Sequence, residues 1–444
     1  MKTITPPEPG HNTGSRPFYG RVFYGWYIVG AAGLVVFSSG PGQSYVFSIF
    51  IDSIISDTGL SRPSISALYM LSTAVSAVMV WLVSRMADRT GTRVMLIAVG
   101  FAFGVACFGM ATARNILLLY VAFASLRALG QGSLNINAIL MVNQWFVSYR
   151  GRAIAFMGLG SVLSTAIFPP LARALIDNLG WREAYAVLGI IVMVLIIPVS
   201  LLIVRNRPED MNLLPDGRRQ PSPALPRQDP QAFEATNPGA TTRTLQNPAQ
   251  NEDRRVMRSL SFWMLALPLA TPGLISTALV FHQTSIFQEA GLSATLAAGV
   301  FVIFAASAAF TSMIGGFVVE RSGPKPLYGF AMLMLLLALT LAVVINSIFV
   351  AVLYVISMGI ANGSHQIVQG VIWAHYYGRN RLGRIQGPAM MIGISGAAIG
   401  PFPLALLHDL TGTYATGMLL MMALPALSLV SIYFARPATP ASSY

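Results

Sequence analysis

Long apolar runs recur along the chain and constrain its fold more than any other feature. About twelve of them, each close to 20 residues long, are separated by short polar breaks. A run of this length crosses the hydrocarbon core of a bilayer as one α-helix, which satisfies its backbone hydrogen bonds internally. We therefore predict an all-α membrane protein with about twelve transmembrane helices. The expected spans are residues 23–48, 64–83, 94–112, 116–142, 154–175, 184–204, 261–283, 295–318, 327–345, 349–373, 385–406 and 414–434.

The composition excludes most soluble classes. Hydrophobic residues make up 55% of the 444 residues and charged residues only 10%, against roughly 25% charged in soluble globular proteins. The net charge of +12 does not indicate nucleic acid, because most arginines lie in short segments between apolar runs. The single cysteine, Cys107, lies in an apolar run, so we expect a buried structural thiol and no disulfide.

The distribution of basic residues predicts the orientation. With the N-terminus in the cytoplasm, 23 of the 28 Lys and Arg fall inside the cell, and one, Arg127, lies within a span. The four outside are Arg62, Arg114, Arg173 and Arg182. Cytoplasmic loops carry the excess of Lys and Arg in membrane proteins. We therefore expect a multi-pass protein of the plasma (inner) membrane with both termini cytoplasmic.

The segments between and around the spans give the domain organisation. Residues 1–21 lack the apolar region of a secretory signal and are predicted to be a disordered cytoplasmic leader. Residues 205–258 are rich in Pro, Asn, Gln and Arg and are predicted to be a flexible cytoplasmic linker. A folded regulatory domain is the alternative there, although no hydrophobic periodicity supports it. Six-helix bundles are expected at 22–204 and 259–435, with a cytoplasmic tail at 436–444.

The two bundles are repeats of one unit, because similar residues recur at one constant separation. Asp88 and Glu320 are 232 positions apart, and the other matches share that offset. The matched pairs are Gly59-Leu60-Ser61 with Gly291-Leu292-Ser293, Asp88-Arg89-Thr90-Gly91 with Glu320-Arg321-Ser322-Gly323, Gly151 with Gly383, Pro169 with Pro401, and Asp177 and Gly180 with Asp409 and Gly412. Both halves begin on the same side, so they are parallel repeats with a path between them, as in transporters.

The loop after the second span resembles the signature of the major facilitator superfamily. Ser84-Arg85-Met86-Ala87-Asp88-Arg89-Thr90-Gly91-Thr92-Arg93 is similar to the pattern G-x-x-x-D-R-x-G-R-R/K, with departures at Ser84 and Thr92. The fourth span carries the family-like motif Arg127-Ala128-Leu129-Gly130-Gln131-Gly132. The likeness covers the chain outside the leader and linker, and it implies rocker-switch alternating access between two six-helix bundles.

Three shorter stretches are similar to the bacterial branch of oxalate/formate antiporters and monocarboxylate porters. They are Phe23-Tyr24-Gly25-Trp26, Gly59-Leu60-Ser61-Arg62, and Trp145-Phe146 with Arg150-Gly151-Arg152-Ala153. Those carriers usually hold their carboxylate substrate with a cation in the eighth or eleventh span. Val300–Val318 and Ile385–Leu406 contain none.

Arg127 is the one Lys or Arg well inside a predicted span. A lone cation in hydrocarbon costs about 2.5 kcal/mol or more, so such a residue is a functional-site hypothesis. Arg127, Gln131 and Asn135 follow helical spacing and form a polar stripe that should face the cavity between the halves. Arg127 either binds an anionic substrate or pins neighbouring carbonyl groups; the sequence leaves both open.

The tenth span occupies the equivalent position in the second half and carries a second polar stripe. Its members are Asn362, His365, Gln366, Gln369 and Trp373. Opposed polar stripes on symmetry-related helices suit a substrate site at the repeat interface, although polar residues also serve as interhelical hydrogen bonds.

Helix-weakening residues predict further cavity positions. Tyr45 follows Gly40-Pro41-Gly42 in the first span, and His282 and Gln283 follow Pro272-Gly273 in the seventh. Discontinuous helices free backbone groups that bind solutes at cavity depth.

The repeated motif loops are predicted to be a conformational latch. Their carboxylates, Asp88 and Glu320, are flanked by cations and can pair with charges and helix ends across the interface in one conformation. The resemblance implies that these contacts hold the outward-facing state. The predicted latch residues are Asp88, Arg89, Gly91, Arg93, Glu320, Arg321, Gly323 and Lys325.

These features predict secondary transport of a small organic solute, such as a monocarboxylate or related organic anion met by Arg127. The alternatives are efflux of an amphipathic drug or metabolite, and a non-transporting membrane sensor.

An enzyme is not expected, because the five histidines share no metal-ligand spacing. ATP-driven pumping is not expected either, because no phosphate-binding G-x-x-x-x-G-K-[ST] loop occurs. We expect a monomer with no cofactor or metal, no nucleic-acid partner, a small-molecule substrate, and either a coupling proton or a counter-substrate. No Asp or Glu lies well inside a predicted span, so proton coupling would be histidine-based or absent.

Overall fold

The described part of the chain forms helices, most of which are joined by short turns. The computed structural model describes residues 23–147, 149–211, 213–217, 259–377 and 382–435, and no strand occurs in that part of the chain. The leader 1–21, linker residues 218–258 and the tail 436–444 lie outside the described residues.

The first half contains six spans in chain order. They consist of Gly25–Phe37, Gly40–Gly42 and Ser44–Thr58; Arg62–Thr90; Thr92–Thr112; Ile116–Leu126, Arg127–Leu134 and Asn135–Trp145; Arg150–Leu179; and Trp181–Leu202. The second half contains the other six spans. They consist of Leu260–Glu289; Ala294–Gly299 and Phe301–Ser322; Pro324–Val343; Ile348–Tyr377; Leu382–Ile399 and Pro401–Thr411; and Tyr414–Met421 and Ala423–Phe434.

The predicted all-α architecture of about twelve spans is confirmed. Ten helices within the described residues are long and apolar enough to cross a bilayer. The first span, interrupted at Gly40–Gly42, and the second, Arg62–Thr90, complete the twelve.

The two halves repeat the same packing. In the first half the first span packs on the fifth, the second on the fourth and the third on the sixth; in the second half the seventh packs on the eleventh, the eighth on the tenth and the ninth on the twelfth. Corresponding glycines also share a left-handed backbone: φ is 68° at Gly59 and 76° at Gly291, and 85° at Gly91 and 77° at Gly323. Only glycine adopts this region without strain, which explains why these residues recur in both halves.

The two halves contact each other through three pairs of spans. The first span contacts the seventh, the second contacts the eleventh and the fifth contacts the eighth across the interface. We call the end of the bundle that contains the turns at Gly59 and Gly291 the distal end, and the end that contains Gly91 and Gly323 the proximal end.

The first span extends further than the predicted 23–48. Its last helix runs to Thr58, so Asp52 lies inside the span, whereas no acidic residue was expected there. The helix accommodates this charge because Asp52 pairs with Arg62 of the second span. The seventh span also differs from expectation, since Leu260–Glu289 continues through Pro272 and Gly273.

The start of the predicted flexible linker packs against the first half. The Trp145 indole donates a hydrogen bond to the Arg205 carbonyl at 3.1 Å. The Asp216 carboxylate accepts backbone N–H groups of Val147 at 3.1 Å and Tyr149 at 3.3 Å, just before the fifth span. An anion at a helix N-terminus is stabilised by the unpaired N–H groups there. Residues 205–211 and 213–217 therefore belong structurally to the first half.

Candidate functional site

Arg127 is buried near the middle of the fourth span, with 1% of its surface exposed. Its Nε donates to the Thr73 hydroxyl at 3.2 Å and its Nη1 donates to the Gly42 carbonyl at 3.2 Å. The guanidinium carbon lies 4.4 Å from the centre of the Tyr69 ring, which gives a cation–π contact. Three spans thus converge on one guanidinium.

The break in the first span makes the Gly42 carbonyl available. In an uninterrupted helix this carbonyl would accept from the N–H of Val46. Here the N–H of Val46 donates to the Gln43 carbonyl at 3.1 Å, because Gln43 is extended with φ −96° and ψ 153°. The freed Gly42 carbonyl therefore accepts from Arg127 of the fourth span and not from its own helix. This part of the predicted discontinuity is present.

The fourth span carries a complementary irregularity. Residues Arg127–Leu134 form a π-helix, and the Ser133 hydroxyl donates to the Ala128 carbonyl five residues earlier at 2.7 Å. A side chain at Gly42 would overlap the Leu126 carbonyl oxygen. The break in the first span and the wide turn of the fourth therefore pack backbone to backbone, which only glycine permits. Short π-helical segments occur frequently at functional sites.

The electrostatics of the site are unbalanced. Among the described residues, no carboxylate lies within 4.0 Å of Arg127. Its Nη2 makes no hydrogen bond to that part of the chain. A guanidinium carries five N–H donors in a planar fork, so donors remain for a further acceptor. These neutral partners stabilise the cation, and no described residue compensates its charge.

The other predicted residues of the first half lie close to this break and this π-helix. Gln131 belongs to the π-helix and is half-buried, as is Asn135, whose Nδ2 donates to the Gln131 carbonyl at 2.8 Å. The Tyr45 hydroxyl donates to the Ser164 hydroxyl at 2.8 Å, and its ring centre lies 6.3 Å from that of Phe301 in the other half.

The predicted stripe on the tenth span divides into accessible and buried members. Gln366 is exposed, and Asn362 and Gln369 are half-buried. His365 is 8% exposed, and its Nδ1 has no hydrogen-bond partner among the residues that the structure describes. Trp373 is buried beside Phe262 of the seventh span, with ring centres 5.7 Å apart. Asn362, Gln366 and Gln369 are therefore the members whose side chains remain accessible.

His282 and Gln283 contact their own half and not the Arg127 site. The Nε2 of His282 donates to the Pro401 carbonyl at 3.0 Å, and its Nδ1 lies 3.4 Å from the Tyr414 hydroxyl. The Nε2 of Gln283 donates to the Ala297 carbonyl at 2.8 Å. The seventh span is continuous here. The two side chains connect it to neighbouring spans of the second half, His282 to the eleventh and Gln283 to the eighth.

Polar residues near the distal end join the two halves. Ser285 of the seventh span donates to Asp52 at 3.0 Å and accepts a hydrogen bond from Arg62. Asp52 and Arg62 pair at 2.9 Å within the first half. Ser48 and Thr284 lie 3.4 Å apart across the interface, one helical turn from Asp52. We call these five residues the distal seal.

The predicted latch residues lie at the proximal end. Arg93 donates to the Leu201 carbonyl at the end of the sixth span, and Lys325 donates to the Ala435 carbonyl after the twelfth at 2.7 Å. A cation at a helix C-terminus complements its free carbonyl groups. Arg89, Glu320 and Arg321 are exposed, Gly91 and Gly323 form the left-handed turns, and the side chain of Asp88 lies outside the described residues.

Residues that the sequence interpretation missed lie mainly on the second span. Tyr69, Thr73 and Ser76 all contact Arg127: Ser76 donates to its backbone carbonyl at 3.2 Å. The spacing of three and four residues places them on one helical face. That polar stripe on an apolar span was the available signal. No comparable signal in the sequence indicated the ion pair of Asp52, because the first span was predicted to end before that residue.

Comparison with protein families identifies a match over almost the whole chain. A family model described as Major Facilitator Superfamily matches residues 32–300 and, separately, residues 256–443. The first match covers the first half and extends into the second, and the second match covers the second half.

Several curated proteins share part of the sequence. A riboflavin transporter of Trypanosoma brucei brucei is 25% identical over 187 residues, which is 41% of this chain and 34% of that protein. A probable L-galactonate transporter of Escherichia coli is 26% identical over 35% of this chain and 34% of its own length. Monocarboxylate transporter 4 of Rattus norvegicus is 23% identical over 46% of this chain and 43% of its own length. The chain therefore spans less than half the length of these relatives.

Solved structures match the fold over nearly the full length. A bacterial homolog of the human lysosomal transporter Spinster, inward-facing and unoccupied, has a TM-score of 0.69 and 17% identity, covering 95% of this chain and 97% of that one. A D-xylose–proton symporter has a TM-score of 0.67 and 14% identity, covering 94% and 98%. These similarities support the fold alone.

Proposed function

Because this chain belongs to the major facilitator superfamily, we propose that it is a secondary transporter that binds a small organic anion at Arg127. The anion would lie between the halves, near the break in the first span. The accessible polar side chains of the fourth and tenth spans would complete the site, namely Gln131, Asn362, Gln366 and Gln369.

The observation that carries this proposal is the buried, uncompensated charge of Arg127. Burying a cation without a counter-charge is costly, and paired charges are the rule inside proteins. A substrate carboxylate would supply the missing charge, and its two oxygens match the planar fork of the guanidinium. A purely structural arginine would need only the carbonyl and hydroxyl acceptors it already has. The donors left over on Nη2 favour a ligand.

The relatives support the same substrate class. The L-galactonate and monocarboxylate transporters are named for carboxylates, whereas the riboflavin transporter is named for a neutral heterocycle. A carboxylate is the common chemistry that a buried arginine recognises best. Riboflavin belongs in the test as the contrasting solute.

The distal seal supports alternating access. We infer from the excess of arginines at the proximal end that this end faces the cytoplasm. The contacts of Ser285 and Thr284 then close the outer side, and a solute would reach Arg127 from the cytoplasm. In this state Arg93 and Lys325 bind helix ends of their own halves. We propose that they form contacts across the interface when the proximal end closes.

A solute screen tests the proposal. The purified protein is heated with lactate, oxalate, galactonate, riboflavin and a lipophilic cation in turn, and uptake of each is measured in proteoliposomes. Stabilisation and uptake of a carboxylate are expected for the wild type and for Arg173→Gln, which removes an arginine paired to Asp177 on its own helix. Both should be lost in Arg127→Gln.

Three outcomes would refute it. Unchanged carboxylate uptake in Arg127→Gln would assign the arginine a structural role. Transport of the lipophilic cation alone would identify an efflux carrier. Stabilisation without flux of any solute would favour a sensor.

A further inference from the structure

Tyr69 connects the proposed anion site to the interface between the halves. Its side chain is fully buried, and it contacts Arg127, the first span and the seventh span at once. We propose that Tyr69 is the positioning residue that couples the occupancy of Arg127 to the closure of the distal end. This inference rests on the proposed function, because it requires an anion at Arg127.

The contacts on one side of Tyr69 are made within the first half. The Arg127 guanidinium lies 4.4 Å from the ring centre. The Tyr69 hydroxyl lies 2.6 Å from the Ser44 hydroxyl, two residues after the break at Gly42. Phe47 packs edge-on at 6.2 Å. The ring is therefore held by the same irregular segment that supplies the Gly42 carbonyl.

The opposite side of Tyr69 contacts the second half. Its ring centre lies 4.5 Å from that of Phe281 on the seventh span, with the planes inclined by 52°. Phe281 precedes Thr284 and Ser285 of the distal seal by about one helical turn. Tyr69 is thus the link between Arg127 and the seventh span.

Competition for the guanidinium provides the mechanism. Without a ligand, the electron-rich face of the Tyr69 ring is one of the few groups that stabilise the Arg127 charge. This attraction holds the ring in place against Phe281, and the distal end stays closed. A bound carboxylate neutralises the guanidinium and weakens the attraction. The ring is then less firmly held against Phe281, and opening of the distal end becomes easier.

The coupling is measured with a cysteine reporter in the distal seal. Cys107 is replaced by alanine, and Ser48→Cys is introduced, since Ser48 is 1% exposed in the closed state. The rate of thiol labelling of the purified protein is recorded without solute and with lactate, oxalate or galactonate. Binding of each carboxylate is measured separately by thermal stabilisation, so that binding and opening are distinguished.

Substitutions at Tyr69 and Phe281 distinguish the contribution of the Tyr69 ring from that of its hydroxyl. Tyr69→Phe keeps the ring over Arg127 and should keep a carboxylate-induced rise in labelling. Tyr69→Leu removes the cation–π contact and Phe281→Leu removes the ring contact across the interface. Labelling of both variants is compared at carboxylate concentrations that saturate each of them, and the rise in labelling should fall by about 2- to 30-fold, the range expected from a cation–π contact.

The outcomes discriminate between the two proposals. A carboxylate that binds Tyr69→Leu or Phe281→Leu and raises labelling as much as in the wild type overturns the coupling. Because the two substitutions lie on different halves, a folding defect in one leaves the other as the test, and size-exclusion chromatography identifies it. If no carboxylate stabilises the wild type, the proposed function itself fails, and the coupling fails with it.

Discussion

Replacing Ser285 by alanine should open the distal end. The hydroxyl of Ser285 is the only atom of that side chain able to hydrogen-bond, and it joins the Asp52–Arg62 pair of the first half to the seventh span. Asp52 and Arg62 remain paired in the variant. The substitution therefore removes this one connection between the halves and leaves the ion pair.

The size of the change in distal opening follows from the hydrogen-bond partners of Ser285, which are both charged. A hydrogen bond to a charged group contributes about 1.5–3 kcal/mol. The side chains of Arg62 and Asp52 are 22% and 24% exposed, so water and the remaining ion pair replace part of what is lost. We expect a net change of about 1–2 kcal/mol, which corresponds to a roughly 5- to 30-fold larger open population.

The assay is thiol labelling of Ser48→Cys in the Cys107→Ala background. Ser48 contacts Thr284 across the interface and is buried in the closed state. Labelling requires separation of the halves, and its rate follows the open population when opening and closing are fast. The labelling rate should rise by the same 5- to 30-fold in Ser285→Ala.

A matched serine gives the control. Ser56 is exposed near the same end and bonds to the Ser53 carbonyl of its own helix at 3.0 Å. Ser56→Ala should label at the rate of the parent protein. If Ser285→Ala labels no faster than Ser56→Ala, the Ser285 hydroxyl does not hold the distal end closed, and that reasoning is refuted.

Two further substitutions test the supporting structure. Gly42→Ala places a methyl group against the Leu126 carbonyl and should destabilise the protein by about 1–3 kcal/mol, seen as a lower melting temperature. Gly30→Ala, with open space at that position, should melt like the wild type, and equal melting of both variants would contradict the close packing. Asp216→Ala should speed limited proteolysis within 205–217 through loss of the bonds to Val147 and Tyr149. Asp216→Asn keeps an acceptor and should resemble the wild type; identical digestion of both variants would show that the carboxylate does not anchor this segment.

Most of the fold could be predicted because it follows from the cost of placing backbone in lipid. An apolar run long enough to span the bilayer satisfies its backbone hydrogen bonds only as a helix. The constant offset between matched residues such as Asp88 and Glu320 reveals the duplication. The left-handed turns at Gly91 and Gly323 confirm that the repeated residues repeat for a structural reason. Span ends were less predictable. Asp52 looked like the start of a polar loop. The residue that neutralises it inside the bundle, Arg62, belongs to the next helix, so the pairing could not be recognised along the sequence.

The central residue of the candidate site could be predicted from the sequence, whereas the residues that contact it could not. Arg127 is conspicuous in sequence as a lone cation in hydrocarbon. Its partners could not be inferred from its own helix, because Tyr69 and Thr73 come from the second span and the Gly42 carbonyl becomes available through backbone geometry. His282 illustrates the converse. Its position after Pro272-Gly273 indicated a broken helix, whereas the helix continues and the imidazole bonds to Pro401.

The proposals on Arg127, Tyr69 and the distal seal describe one pathway. The anion would displace the Tyr69 ring as the main partner of the guanidinium, and the ring would transmit this change to the seventh span. The distal seal would then open. Each step has a separate readout, namely binding, the carboxylate-dependent rise in labelling, and the basal labelling rate.

The central claim, that the buried charge of Arg127 selects an organic anion, is tested most directly by calorimetric titration with matched solutes. Lactate is compared with its uncharged analogue lactamide, and oxalate and galactonate are compared with their amides, on wild type and Arg127→Gln. Truncating one partner of a buried charge pair costs about 2–5 kcal/mol. We predict that the wild type prefers at least one carboxylate over its amide by about 30-fold or more, and that Arg127→Gln loses this preference. Equal affinity of the wild type for every acid and its amide, or an unchanged preference in Arg127→Gln, would contradict the account.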